Sequence, residues 1–206
     1  MERIAVFDFD GTIKKHDSFL SFLLTVTHNN TLELCRSLFP FVIPILLVKM
    51  NFISAGRIKE KIYKSFLKNI PQKEFIELCV GYSTIINNDL NQAVIEKIKQ
   101  HQNNGDKVVI LSASLAEMIR PWAKSLGIDD VVATEIEWND KGFFKCFSTP
   151  NCNGNEKPVR LQHYLKSCHE YHLTGYGDSK ADHPFLSICN TSYIISHKKH
   201  EIRLFK

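Results

Sequence analysis

The segment from Arg3 to Phe9 (RIAVFDF) is short, apolar, rich in β-branched and aromatic side chains, and turns acidic at its carboxyl end. A run of this kind reads as a buried strand. Asp8 and Asp10, followed by Gly11 and Thr12, fall where that strand ends. In open α/β sheets this is the edge where ligands bind. Asp8 and Asp10 stand two residues apart and share a face if the strand continues through both. A turn after Asp8, with Gly11 supplying backbone freedom, instead lets both carboxylates approach one ligand from different sides. Asp and Gly are also ordinary turn residues, so the segment alone does not separate a site from a simple strand end.

The rest of the chain supplies the context. Lys107 to Leu111 reads as a second strand ending in Ser112-Ala113-Ser114, and Tyr171 to Tyr176 as a third ending in Gly177-Asp178. Val131 to Ile136 and Ser192 to Ile195 are further strand candidates, and Ile136 to Phe147 reads as a hairpin turning at Asn139-Asp140-Lys141-Gly142. Helical patterns cover Leu90 to Asn103, Leu115 to Leu126, Lys157 to Cys168 and Ala181 to Ile188. Strands alternating with helices predict an α/β fold, a Rossmann-like parallel sheet with right-handed crossovers. From Asp17 to about Asn88 the alternation stops. Helix follows helix, over Ser18 to Val26, Leu32 to Met50, Ser54 to Leu67 and Gln72 to Ile85, with Pro71 opening the last. The simplest reading is a helical cap, residues 17–88, inserted into a core formed by residues 1–16 and 89–206.

A formal net charge of +4 over 206 residues is too mild for a nucleic-acid partner, and no long basic stripe is present. It favours an anionic substrate. The six cysteines are scattered without a CxxC pair, so no zinc site is expected. Met1 to Val6 runs straight into a strand-like segment and lacks a secretory h-region, which predicts a cytoplasmic protein with reduced cysteines.

Four ordered motifs make the chain recognisable. Asp8-Phe9-Asp10-Gly11-Thr12, Ser112 after a hydrophobic strand, Lys157, and Gly175-Tyr176-Gly177-Asp178-Ser179-Lys180-Ala181-Asp182 together resemble the haloacid dehalogenase-like (HAD) phosphohydrolases. The insertion between the first and second motifs resembles the C1 cap of subclass IB. The resemblance implies that Asp8 is a nucleophile forming an aspartyl-phosphate, and that Asp10 protonates the leaving oxygen and later activates water. It implies that Ser112, with Ala113 and nearby backbone N–H groups, holds phosphoryl oxygens, and that Lys157 offsets the local charge. Mg²⁺ would sit on Asp8, the backbone carbonyl of Asp10, and Asp178, because two carboxylates beside a dianion need a cation that accepts oxygen ligands. Thr12, Gly177 and Asp182 would support the site. Simpler readings remain for some of these: Lys157 as a solvated lysine at a helix start, Ser114 as a helix cap, Asp182 as a first-turn acid.

The same branch contains phosphoserine phosphatase, which suggests a small soluble phosphorylated metabolite as substrate. Asp17 matches the place of the residue that reads the substrate amine there, with a helix N-cap as its plain alternative. Arg57, in Asn51-Phe52-Ile53-Ser54-Ala55-Gly56-Arg57, resembles the one that reads the carboxylate. The second motif, Ser112-Ala113-Ser114, and the fourth depart from the phosphoserine phosphatase pattern. The chain is similar as well to the phosphatidylglycerophosphatase C group, whose Leu/Pro-rich cap is matched by the 11 uncharged residues from Leu38 to Val48. That run is well short of the roughly 20 residues needed to span a bilayer. It is expected to be the inner helix of the cap, with contact to a membrane surface as the alternative.

Overall fold

The structure, a computed structural model, describes residues 1–50, 52–128, 130–196 and 201–206. Strands β1 (Glu2–Phe7), β2 (Lys107–Leu115), β3 (Asp130–Thr134), β6 (Tyr171–Gly177), β7 (Thr191–Ile195) and β8 (Ile202–Leu204) form one sheet in the order β3-β2-β1-β6-β7-β8. All neighbours are parallel except β7 and β8. Strands β4 (Ile136–Trp138) and β5 (Phe144–Phe147) make the expected hairpin, with Gly142 at φ +74° in its turn. The three-residue β8 is too short to show in the sequence pattern.

Period-two alternation places the core on both sheet faces. Ala5 and Phe7 join the cluster that includes Trp122 and Ile98, beneath α5 (Gln72–Asn87), α6 (Gln92–Asn103) and α7 (Ala116–Ser125). Ile4 and Val6 face the opposite way, toward Leu161 of α8 (Glu156–Tyr164) and Phe185 of α9 (His183–Ile188). Each large apolar side chain buried this way contributes about 1.5–3 kcal/mol. With a neighbour on either side, β1 is an interior strand, and its carboxyl end delivers Asp8 to the middle of the sheet edge.

Helices α1 (Ser18–Val26), α2 (Thr31–Leu38), α3 (Val42–Lys49), α4 (Ala55–Leu67) and α5 form the inserted helical cap between β1 and β2. Phe22 of α1 meets Phe75 and Tyr82 of α5 edge to face, with ring centroids 5.9 and 5.2 Å apart. The chain enters and leaves this insert at adjoining points. Lys14 bridges to Leu90, Asn91 N–H donates to Ile13 O at 2.9 Å, and Lys15 N–H donates to Asp89 O at 2.9 Å. The Asp89 carboxylate clasps Lys14 Nζ at 2.6 Å and His16 Nδ1 at 2.7 Å.

Two expectations about the cap change. The single helix over Leu32 to Met50 is two helices parted by a 3₁₀ turn at Phe39–Phe41, because Pro40 lacks an N–H and its ring crowds the preceding turn. Nor is this run the inner helix. Phe22, Tyr63, Phe75 and Tyr82 from α1, α4 and α5 already fill the inner layer, which leaves Leu32 80%, Phe39 78% and Ile43 70% exposed.

Candidate active site

Asp8 follows the last residue of β1 and is anchored by its N–H, which donates to Tyr176 O at 2.8 Å. The chain then turns sharply, with Lys14 N–H donating to Phe9 O at 2.9 Å and Gly11 N–H to Lys14 O at 2.7 Å. Gly11 has φ +84°, and a Cβ on it would lie 2.2 Å from Asp178 Oδ2. Glycine is therefore required twice over, for conformation and for clearance. Gly177 is similarly constrained, since a Cβ there would come within 2.7 Å of Asp182 Cβ.

Lys157 is buried, which rules out the solvated-lysine reading, and its Nζ lies 2.5 Å from both Asp8 Oδ1 and Asp182 Oδ1. Burial works against its charge, but the two carboxylates outweigh that and hold its pKa above the usual lysine value. Asp182 shows the reverse balance: burial opposes ionisation, yet Lys157 and the Ser179 and Asp178 N–H groups keep its pKa low. Its Oδ2 accepts from Asp178 N at 3.1 Å, Ser179 N at 3.0 Å and Ser179 Oγ at 2.9 Å. Asp182 thus organises the fourth-motif loop and fixes Lys157. Asp178 is half-buried, and burial followed by the neighbouring Asp182 charge pushes its carboxyl up to about 7. Thr12 Oγ1 donates to Asp178 Oδ1 at 3.4 Å. Burial also raises Asp8, with Lys157 pulling against it and Asp182 and Asp178 adding to it.

Asp10 is held by donors the sequence did not single out. Ser18 N–H and Oγ reach its Oδ1 and Oδ2 at 2.7 and 3.0 Å, and Ser114 Oγ reaches Oδ2 at 2.6 Å. Burial, then Asp17, raises the Asp10 pKa against these bonds. Ser114 is therefore not the cap of α7. Strand β2 runs on to Leu115 through an irregularity between Ser112 and Leu115, and α7 begins without a side-chain cap. The spacing of Ser112 and Ser114 was the available signal, since residues two apart on a strand share a face. Ser112 Oγ accepts from Ser114 N–H at 3.0 Å, which ties the two residues into one loop.

Asp8, Asp10, Ser112, Lys157, Asp178 and Asp182 line a cavity of about 550 Å³ that also includes Ala113, Lys15, His16, Asn151 and Asn153. From the cap it takes Asp17, Ala55 and Lys59. Asp17 lines it while its Oδ1 accepts from Phe19 N–H at 2.7 Å, so the N-cap reading holds. Arg57 is exposed and lines not the cavity itself but an adjoining cleft, with Glu60 and Thr149, that shares Ala55, Asn151 and Asn153 with it. The basic side chain that α4 sends into the cavity is Lys59, two residues on, whose Nζ donates to Ala113 O at 3.0 Å. Burial lowers the Lys59 pKa against the pull of Asp10 and Asp17. Only the rotation of α4 against the core distinguishes Lys59 from Arg57, and the sequence does not carry it. Asn51, which opens the segment that suggested Arg57, lies outside the described residues.

The donor set suits a hard divalent cation. Asp8, Asp178 and Asp182 offer carboxylate oxygens that all lie within 4.8 Å of one another. Both oxygens of Asp182 accept hydrogen bonds from Lys157 and the fourth-motif loop, which suits it to position the site. Three carboxylates gather around one ammonium, and the raised Asp178 pKa reflects burial first and then the neighbouring Asp182 charge. The Asp10 carboxylate is turned to Ser18 and Ser114, so any share it has in a metal site falls to its backbone carbonyl.

The family model for haloacid dehalogenase-like hydrolases matches residues 5–187. Protein CicA of Caulobacter vibrioides is 25% identical over 191 residues, which cover 91% of this chain and 83% of that one. A Bordetella pertussis Tohama I protein of unknown function has the same fold, with TM-score 0.78 and 20% identity over 93% of this chain and 89% of its own. A phosphoserine phosphohydrolase-like protein from Francisella tularensis superposes with TM-score 0.63 at 22% identity, over 93% and 86% of the two chains.

Proposed function

This chain belongs to the haloacid dehalogenase-like hydrolases, and from that footing we propose that it is a magnesium-dependent phosphomonoesterase working through an aspartyl-phosphate on Asp8. The observation that carries this reading is the Lys157 ammonium held 2.5 Å from Asp8 Oδ1 at the floor of the cavity, beside Asp178. A buried carboxylate fixed by one cation and flanked by others is arranged to meet a phosphorus atom.

In the first step an Asp8 oxygen attacks phosphorus, the ester P–O bond breaks, and the leaving alkoxide takes its proton from Asp10. Burial raises the Asp10 pKa, the direction that suits a group donating a proton. In the second step Asp10 takes a proton from water, the water oxygen attacks phosphorus, and the bond to Asp8 breaks to release inorganic phosphate. Lys157 holds Asp8 in place and balances charge, Asp182 fixes Lys157, and Ser112 with the Ala113 backbone lines the phosphoryl side. Magnesium, held by Asp8 and Asp178, would supply further compensation for the charge on the phosphoryl oxygens.

The pairing expected for a phosphoserine-like substrate, Asp17 with Arg57, is not assembled in the cavity, and Lys59 and Lys15 are cationic side chains that line it and can meet a leaving group. Phosphate release from p-nitrophenyl phosphate and a panel of soluble phosphomonoesters, with magnesium, tests the chemistry. Asp8→Asn is expected to keep the fold and lose at least about 10³-fold in kcat. Turnover equal to wild type would remove Asp8 as the nucleophile.

A further inference from the structure

Beside the catalytic cavity lies a second concavity of different character. It occupies about 430 Å³ between α1, α3 and α4, and it is walled by Leu20, Ile45, Val48 and Ile62. Asp17, Ala55 and Lys59 line both spaces, so the apolar groove opens directly onto the phosphate end. Its outer wall belongs to the apolar run described above. The 18 residues from Thr31 to Val48 are apolar enough on average to enter a bilayer, and none of them is buried. Ile43 and Leu46 of α3 are 70% and 53% exposed, and Phe39 stands out from the turn before them.

A helix apolar on all faces belongs either inside a larger core or in lipid. Among the described residues nothing buries the outer face of α3. The break at Phe39–Phe41 divides the run into two helices of eight residues each, too short to span a membrane but suited to lying along its surface. The adjoining α4 carries three exposed basic side chains, Arg57, Lys61 and Lys64, against Glu60, which complements an anionic headgroup layer. A protein seated on this ridge would crowd the mouth of the cavity, whereas a lipid layer would present substrate to it.

We propose that the groove is a subsite for the hydrocarbon part of an amphiphilic phosphomonoester, and that the α2–α3 ridge rests in the lipid surface that holds this substrate. The inference rests on the phosphomonoesterase reading for its chemistry, but the docking surface can be measured without turnover.

The test sediments the full chain with vesicles of phosphatidylcholine, with and without phosphatidylglycerol, and compares wild type with Ile43→Asp/Leu46→Asp. Circular dichroism confirms that both are folded. Wild type is expected to bind the mixed vesicles, and the variant to bind at least about ten-fold more weakly. No binding by wild type, equal binding by the variant, or a wild-type dimer that the same substitutions dissociate would each overturn the docking surface. In parallel, kcat/KM for dodecyl phosphate is expected to exceed that for butyl phosphate by at least about ten-fold, and Leu20→Asp to erase the difference. Equal values in wild type would overturn the hydrocarbon subsite. If neither ester releases phosphate, the phosphomonoesterase reading fails, and calorimetric affinities for the same two esters decide the subsite.

Discussion

The hydroxyl of Ser114 donates to Asp10 Oδ2 across 2.6 Å, linking the far end of β2 to the turn after β1. Together with Ser18 it fixes the carboxylate proposed to move the proton. Ser114→Ala is expected to lower kcat about ten- to hundred-fold with KM little changed, because the aim of the acid is lost rather than the binding of phosphate. Steady-state kinetics on a soluble phosphomonoester read both constants, and a change confined to KM would refute the positioning role.

Lys157 faces two buried carboxylates, so its removal leaves charge without a partner. Lys157→Ala is expected to cost about 3–5 kcal/mol of stability in metal-free protein. Magnesium is expected to restore part of that loss. Urea unfolding with and without the ion measures both effects.

Asp178 stands beside Asp8 and a backbone that tolerates no Cβ at Gly11. Asp178→Asn keeps the shape and removes a ligand charge, so the magnesium needed for half-maximal activity is expected to rise by about ten-fold or more. A titration unchanged from wild type would exclude it as a ligand.

Lys59 and Arg57 separate two views of the cap. Lys59→Ala is expected to raise KM for soluble phosphomonoesters by about ten-fold, since its ammonium reaches the shared cavity. Arg57→Ala is expected to leave both constants within about two-fold, because Arg57 is exposed in the adjoining cleft and does not line the cavity. The opposite pattern would return the role to Arg57.

Asp89 holds the crossing between core and cap. Burial alone would raise its pKa, but hydrogen bonds from Lys14 and His16 bring it below the ordinary aspartate value. A depressed folded value adds stability above that point and loses it as pH falls through the lowered one. Asp89→Asn leaves the buried Lys14 ammonium without its partner and is expected to cost about 1–3 kcal/mol at pH near 6. The gap from wild type is expected to close in acid, as pH falls below the ordinary aspartate value and through the lowered one, which thermal midpoints across that range record.

Much of the site was legible because it lies where strands end. Asp8, Ser112 and Asp178 come at the ends of apolar runs, and a parallel sheet brings such ends to one edge whatever the intervening length. Lys157 was legible through motif order alone, since a lysine in the first turn of a helix looks solvated until the fold buries it. Ser18 and Lys59 were not legible. Their roles depend on how α1 and α4 are rotated over the core, and helical periodicity gives a face but not the partner it meets. The apolar run from Leu38 to Val48 was misread for a related reason. Composition reports that a segment avoids water, while competition among five helices for one interior decides which of them is left outside.

The paired crossings at Ile13–Asn91 and Lys14–Leu90 have an evolutionary consequence. Because the ends of the helical segment close on each other, the sheet is insulated from its length and content. Such a junction works as a socket: helices can be lengthened, trimmed or exchanged above it without moving Asp8. A lineage could thereby acquire a new clientele while inheriting its reaction chemistry unaltered.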